Sequence, residues 1–280
     1  LGQVLFSDKK TPGVVFTAPG AGTVSAIHRG EQRVLQSVVI DLDGDDAVEF
    51  ARYGDADIDR LDDQLVRANL IDSGLWTALR TRPFSKVPGV VCHADGTQMP
   101  CSGLANVRAE TFAGPHPAGL AGTHIHFLDP VDAHKSVWSL NYQDTIAIGK
   151  LFASGRLWVE RVVAIGGPMV DKPRLVRTRL GANLDELTAG ELKTGKKVRV
   201  ISGSVFGGRS ARGACAFLGR YHLQVSCLEE GTEREVVHYL RAGANKHSVM
   251  NLYISKLSPD RLFDFTTSTN GSPRAMVPIG

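Results

Sequence analysis

The sequence predicts a multidomain chain of the α/β and β class, and three observations support this. Residues 1–40 are short β-branched runs separated by Gly, Pro and charged turns, which is typical of strands. Residues 41–172 alternate helix-period segments with a buried apolar run, which indicates an α/β domain. Residues 173–228 return to short strands around one brief helical turn, which favours a small mixed β-grasp domain. We expect residues 229–280 to be a C-terminal segment that is truncated before its next element.

The first region contains a phrase that suggests a particular β fold. Strands are predicted at 4–6, 14–17, 22–27 and 34–40. Residues 16–27 read F-T-A-P-G-A-G-T-V-S-A-I, which resembles a strand of the lipoyl/biotinyl barrel-sandwich fold. Carrier domains of that fold present a lysine at a hairpin tip, and the matching turn here, residues 28–32, has none. Residues 1–40 are therefore predicted to be a partial, lipoyl-like barrel-sandwich segment that serves as scaffold.

Two helices and one strand define the predicted α/β region. Residues 58–71 place apolar side chains at helical spacing and acids in the first turns, which favours an amphipathic helix. Residues 145–154 have the same period, and residues 157–167 form an apolar run that ends in glycines. Its terminal Gly-Gly-Pro is not a G-x-G-x-x-G fingerprint, and Pro168 removes a donor from any phosphate cradle. The region therefore carries only a weak nucleotide signal.

The predicted β-grasp domain alternates strands with glycine turns. A short turn or helix is predicted at 184–188, followed by Gly190, and a turn is predicted at Gly207 and Gly208. The strands are predicted at 176–179, 197–202 and 221–228.

Composition excludes several classes of function. The chain has 280 residues, 42% of them hydrophobic, which is enough for two or three domains. Its net charge is +3, from 32 basic and 29 acidic residues that are dispersed, so no nucleic-acid footprint is expected. The four cysteines form no C-x-x-C pair, which argues against zinc ribbons and iron–sulfur clusters and fits a reducing compartment. No apolar run approaches the roughly eighteen residues of a membrane span.

Residues 114–130 are the most informative stretch, and they read G-P-H-P-A-G-L-A-G-T-H-I-H-F-L-D-P. Glycines permit unusual backbone angles and prolines restrict them, so we predict a shaped loop that leads into a strand at 123–128. Because side chains alternate along a strand, His124 and His126 would share a face. Three interpretations remain open: a packed turn, a ligand-facing loop and a metal site. The third ligand of a metal site would be one of three nearby residues, His116, Asp129 and His134.

A second candidate cluster lies in residues 74–88, G-L-W-T-A-L-R-T-R-P-F-S-K-V-P. Its aromatic and basic side chains could bind an anion or an aromatic ring. These residues are Trp76, Arg80, Arg82 and Phe84. The alternative is a helix cap followed by a packed loop.

Segments spread along the chain carry a family resemblance. They include R-G-E-Q-R-V-L-Q-S-V-V-I (29–40), G-L-W-T-A-L-R-T-R-P-F-S-K-V-P (74–88), G-P-H-P-A-G-L-A-G-T-H-I-H-F-L-D-P-V (114–131), N-Y-Q-D-T-I-A-I-G-K-L-F-A-S-G-R-L (141–157), K-P-R-L-V-R-T-R-L-G-A (172–182) and R-A-M-V-P-I-G (274–280). In this order they resemble the A subunits of bacterial Na⁺-translocating NADH:quinone oxidoreductases, and they cover nearly the whole chain. The family continues after R-P-F-S-K-x-P, whereas here Pro88 meets Gly89, so a stretch is expected to be missing between 88 and 89.

The resemblance implies a peripheral subunit on the cytoplasmic face of the bacterial inner membrane. The complex would oxidise NADH, reduce ubiquinone and export Na⁺, with NAD, flavin and iron–sulfur centres in partner subunits that include an integral membrane subunit. The resemblance also implies that residues 41–172 are a Rossmann-like domain related to the flavoprotein subunit of complex I, followed by a ubiquitin-like β-grasp domain.

Two other functions remain open: a flavoprotein NADH dehydrogenase subunit of the complex I type, and a ligand-free scaffold subunit. Flavin relatives use a glycine-rich loop where residues 74–83 are bulky, so no flavin is expected in this chain, and no metal. The substrate expected here is ubiquinone. Its binding residues are predicted to be His116, His124, His126 and Phe127, with Trp76, Arg80, Arg82 and Phe84 as a second set.

Overall fold

The computed structural model describes residues 1–9, 14–58, 60–82, 90–94, 108–135, 137–232, 242–246, 253–264 and 266–267. The chain divides into two compact units. The sheet unit consists of Leu1, Ala18–Ala47 and Val159–Gly280, and the helical unit consists of Gly2–Thr17 and Val48–Trp158.

The regular elements of the described residues are short. The strands are β1 (Val4–Ser7), β2 (Val15–Thr17), β3 (Gly22–Arg29), β4 (Leu35–Leu42), β5 (Arg80–Arg82), β6 (Val90–Ala94), β7 (Arg108–Phe112), β8 (Val137–Ser139), β9 (Glu160–Gly166), β10 (Arg174–Arg179), β11 (Val198–Ser202), β12 (Arg209–Ser210) and β13 (Gln224–Glu229). The α-helices are α1 (Asp55–Ile58), α2 (Asp63–Asp72), α3 (Ala121–Leu128), α4 (Tyr142–Ser154) and α5 (Leu184–Leu187). Short 3-10 helices lie at Glu31–Arg33, Leu75–Ala78, Gly213–Cys215 and Ile254–Leu257.

The sheet unit is built around a five-stranded mixed sheet in the order β10-β9-β13-β11-β12. Strand β13 runs parallel to β9, and the other neighbours are antiparallel. Strand β9 buries every second side chain, as expected when only one face meets the core. Val163, Ile165, Leu184 and Val225 form the centre of that core. Cys227 is buried with them, and burial raises the pKa of its thiol to about 11.

The strands predicted for residues 157–167, 176–179, 197–202 and 221–228 are confirmed as β9, β10, β11 and β13, and the short helix at 184–188 is α5. Strand β9 pairs with β10 and β13, so this sheet already begins at Glu160. The mixed sheet confirms the α/β and β multidomain class. The β-grasp assignment and the division between residues 172 and 173 stay predictions.

The four strands predicted in residues 1–40 are confirmed as two antiparallel hairpins. Strands β1 and β2 belong to the helical unit, whereas β3 and β4 belong to the sheet unit. Ser25 is the extra residue where the register of β3 shifts, and its hydroxyl lies 3.0 Å from a carboxylate oxygen of Asp41 on β4.

The helical unit corrects one helix prediction and confirms another. The single helix predicted over 58–71 is wrong, since α1 ends at Ile58 and α2 begins at Asp63. Asp62 between them is extended, with φ −69° and ψ 143°, as an N-cap residue must be. The helix predicted over 145–154 is confirmed by α4. The pairs β5–β8 and β6–β7 complete the regular structure of this unit among the described residues.

Candidate functional site

The strand predicted at 123–128 is wrong, because these residues lie in helix α3. Positions two apart on a helix point about 200° away from each other, so His124 and His126 lie on opposite sides of α3. A short apolar run with two intervening histidines fits either period, so the sequence pattern alone does not distinguish a helix from a strand here. The metal interpretation required the shared face and loses its geometric basis.

His124 is bound to the loop that precedes its own helix. Its Nε2 lies 2.8 Å from the carbonyl oxygen of Ala118, and a carbonyl can only accept, so Nε2 carries the proton. In the neutral form of this ring, Nδ1 is a hydrogen-bond acceptor. Thr123 donates its hydroxyl to the carbonyl of Pro117 at 2.9 Å, one residue from that contact. These two bonds hold the loop against the first turn of α3, as the packed-turn interpretation expects for His124.

Three aromatic rings meet beside α3, and we call Phe112, His124 and Phe127 the ring cluster. The rings of Phe112 and His124 are 4.3 Å apart, and those of Phe112 and Phe127 are 6.4 Å apart. Phe127 remains 69% exposed. The exposed ring of His126 meets Phe127 edge-on at 5.0 Å. Sequence reasoning missed Phe112, although it stands only two positions before Gly114. It is the last residue of strand β7, which also contains Glu110.

The second predicted cluster is built on a turn that requires glycine. Gly74 has φ +76°, and a Cβ there would lie 2.6 Å from the hydroxyl oxygen of Thr17. This turn ends α2 and starts the 3-10 helix that holds Trp76. Trp76 meets Trp138 edge to face, with ring centroids 5.3 Å apart. The guanidinium carbon of Arg67 lies 5.6 Å from the Trp76 ring, a cation–π geometry.

The remaining members of this cluster are placed by strand β5. Arg80 pairs with Ser139 and Arg82 with Val137 across the β5–β8 ladder, and Arg80 is exposed. Phe84 lies outside the described residues. Sequence reasoning missed Trp138, whose buried indole N–H has no hydrogen-bond acceptor among the described residues. The two candidate clusters both belong to the helical unit, and His116 is exposed on the loop before α3.

The sheet unit contains an open depression of about 380 Å³ whose two lysines already contact other groups of the chain. Lys193 donates to the carbonyl of Pro168 at 2.8 Å, and Lys196 pairs with Glu229 at 2.6 Å.

No three His, Cys, Asp or Glu side chains in the residues that the structure describes are placed to hold a metal ion. No helix among them has the length and hydropathy that crossing a membrane requires.

Comparison with known proteins gives matches along the chain. Three family models match it: the NqrA N-terminal barrel-sandwich hybrid domain at residues 1–43, the NqrA second alpha/beta domain at 61–91 and 89–157, and the NQRA C-terminal domain at 162–213. The first match agrees with the barrel-sandwich segment predicted for residues 1–40.

Three relatives that are named as A subunits of Na(+)-translocating NADH-quinone reductases show the extent of the similarity. The chain is 59% identical to that of Pseudomonas aeruginosa, 54% to that of Cellvibrio japonicus and 49% to that of Neisseria gonorrhoeae. Each alignment covers 100% of this chain and 73% of the relative, over 326 to 328 positions. The chain therefore belongs to the NqrA family, the A subunits of Na(+)-translocating NADH-quinone reductases.

Proposed function

We propose that this chain is the peripheral, quinone-associated subunit of a membrane complex that oxidises NADH, reduces ubiquinone and exports Na⁺. The observation that carries the proposal is the identity of 59% along the whole chain to a protein named as one of the subunits of such a reductase. Its location would be the cytoplasmic face of the bacterial inner membrane, beside an integral membrane subunit. We propose that NAD, flavin and iron–sulfur centres belong to partner subunits, and that this chain is not catalytic alone.

The ring cluster with His126 is the surface we propose for ubiquinone. Ubiquinone presents two carbonyl acceptors on an apolar ring, so its site needs donors beside aromatic side chains. The exposed face of Phe127 offers the stacking surface, and the exposed His126 offers an N–H donor next to it. His124 takes a different role, because its proton already points to Ala118. Its free Nδ1 suits the hydroxyl of the reduced quinol rather than the carbonyl of the quinone.

The cluster around Trp76 is the second proposed quinone surface. The buried indole N–H of Trp138 has no acceptor among the described residues, and a quinone carbonyl would supply one. Arg80 stands exposed at the adjoining strand and could bind a second carbonyl. The indole rings of Trp76 and Trp138 also occupy space that a flavin phosphate loop would need for glycine backbone, so we propose no flavin in this chain.

Single substitutions in the assembled complex test which surface binds quinone. His126→Ala and His124→Ala address the ring cluster, Trp138→Phe removes the indole donor, and His134→Ala is the matched control on the exposed loop after α3. Quinone affinity and quinone reductase rate are measured apart from NADH oxidation by an artificial acceptor. We expect His126→Ala to weaken quinone binding about ten-fold, the value of one hydrogen bond to a buried ligand, and His134→Ala to change nothing.

The outcomes separate the competing functions. Unchanged quinone kinetics in both histidine variants, with the complex assembled, would remove the ring cluster from the site. If Trp138→Phe alone weakened quinone binding, the second surface would take its place. Absence of quinone binding to any form of the chain would favour the scaffold, and flavin released from the full-length protein at about one per chain would favour the complex I type of flavoprotein.

A further inference from the structure

The tip of the β3–β4 hairpin combines exposed apolar and basic side chains. Ile27 is 55% exposed and Val34 is 61% exposed, on the two sides of the turn. The basic residues beside them, His28, Arg29 and Arg33, are also exposed. In the described part of the chain neither arginine has an ion-pair partner, and the guanidinium of Arg29 donates to the carbonyl of Arg33 at 3.4 Å.

The turn that carries these side chains is strained. Gln32 and Arg33 are consecutive non-glycine residues with φ of 53° and 61°, in the left-handed region. The N–H of Gly30 donates to the carbonyl of Val34 at 2.8 Å, and that of Val34 to the carbonyl of Glu31 at 3.1 Å, so the turn is closed on itself. Strain of this kind persists where a particular presentation of side chains is needed. Here it sets Arg33 and Val34 next to each other at the tip.

Strand geometry places the same combination on the other side of the turn. Ile27 and Arg29 are two positions apart on β3, so they share a face of the hairpin. Their partners across the ladder, Val38 and Leu35, are apolar. An aliphatic side chain next to a long cationic one therefore occurs twice at the tip. In this arrangement the aliphatic groups can leave water while the guanidinium groups bind phosphates.

We infer that the hairpin tip binds the anionic headgroups of a lipid bilayer, with Ile27 and Val34 entering the interface and Arg29 and Arg33 pairing with phosphates. The inference deepens the proposed function, on which it rests for the presence of a membrane. Charge complementarity selects the occupant, since the tip, residues 28–33, holds two arginines against one acid, Glu31.

Vesicle sedimentation of the full 280-residue chain tests the inference. The probes are vesicles of phosphatidylcholine alone and of phosphatidylcholine mixed with phosphatidylglycerol. We expect binding to the mixed vesicles, little to phosphatidylcholine alone, and weaker binding as salt rises. Arg29→Gln with Arg33→Gln should lower the partition coefficient about 25-fold, from a factor of about five for each charge. Arg29→Lys with Arg33→Lys should keep binding within about three-fold of the parent chain.

Apolar variants and matched controls complete the test. Ile27→Ser with Val34→Ser should weaken binding about ten-fold at low salt. Leu175→Ser and the pair Lys172→Gln with Lys197→Gln change equally exposed residues of the sheet unit and should bind like the parent. Circular dichroism confirms that each variant is folded. Parent-like vesicle binding by both tip variants, or none by the parent at low salt, would overturn the inference.

A third result would also overturn it. If the tip variants bound vesicles normally but were lost from the purified complex, the tip would dock on a protein surface. None of these measurements involves quinone. The proposed quinone site can therefore be contradicted while the lipid contact is supported, and the lipid contact can be contradicted while the quinone site is supported.

Discussion

Helices α3 and α4 belong to the same unit, yet sequence patterns predicted α4 and missed α3. Helix α4 has 13 residues and is preceded by the N-cap residue Asn141, whose side-chain oxygen accepts from the N–H of Asp144 at 2.9 Å. Gly155, with φ +70°, follows its last residue as the C-cap. Helix α3 has eight residues, and Leu120 at its start provides no side-chain cap. The comparison shows that start and stop signals, more than apolar content, made a helix recognisable here.

The two helices also differ in how many of their side chains are buried. Helix α4 buries Ala147, Leu151 and Phe152, whereas α3 buries none of its residues. Packing therefore stabilises α4, and local bonds to the preceding loop stabilise α3. Surfaces that change on ligand binding are drawn from the less stable parts of a fold, which suits the role proposed for the ring cluster.

The largest expected effect tests the packing difference. Leu151 is fully buried, so Leu151→Ala should lower the free energy of unfolding of the helical unit by about 2–5 kcal/mol. Phe127→Ala on α3 should cost no more than about 0.5 kcal/mol, because that side chain is mostly exposed. Urea unfolding followed by circular dichroism measures both. Equal losses in the two variants would contradict the difference in burial.

The next effect tests the stop signal of α4. A Cβ at Gly155 would lie 2.6 Å from the carbonyl oxygen of Phe50, and the φ is positive. Gly155→Ala should therefore cost about 1–3 kcal/mol of stability. Gly190 has a similar φ of +74° with open space around it, so Gly190→Ala reports the backbone strain without the clash. Thermal unfolding of the two variants should show the larger loss for Gly155→Ala, and the reverse order would be against this geometry.

Removing the N-cap of α4 and adding an N-cap to α3 tests directly how much capping stabilises each helix. Asn141→Ala removes the cap of α4 and should cost about 1 kcal/mol. Leu120→Asp supplies a cap to α3 at a position that is already extended, with φ −87° and ψ 137°, and should gain about 0.5–1 kcal/mol. Hydrogen exchange at the first-turn amides locates each change. No added protection in α3 after Leu120→Asp would mean that the cap is not what α3 lacks.

The smallest effect distinguishes helix from strand at residues 121–128. Gly122 lies in the first turn of α3 and Gly149 in the interior of α4, and at both positions a Cβ would meet nothing within 4 Å. Gly122→Ala and Gly149→Ala should each stabilise the chain by about 0.5–1 kcal/mol, since alanine loses less entropy on entering a helix. Unfolding midpoints check both. A gain for Gly149→Ala alone would favour a strand around His124.

Elements whose signals are local could be predicted from the amino-acid order alone. The apolar run of β9 and the capped, apolar-periodic α4 need no distant partner to be recognised, because side-chain pattern and cap chemistry depend on neighbouring residues. Only the three-dimensional structure established that residues 121–128 are helical, that Asp62 separates α1 from α2, and that Trp138 meets Trp76. These outcomes depend on contacts between residues far apart in the chain or on a balance between two periods of similar strength. The site prediction depended most on whether His124 and His126 share a face, and this followed from the balance between the helix period and the strand period.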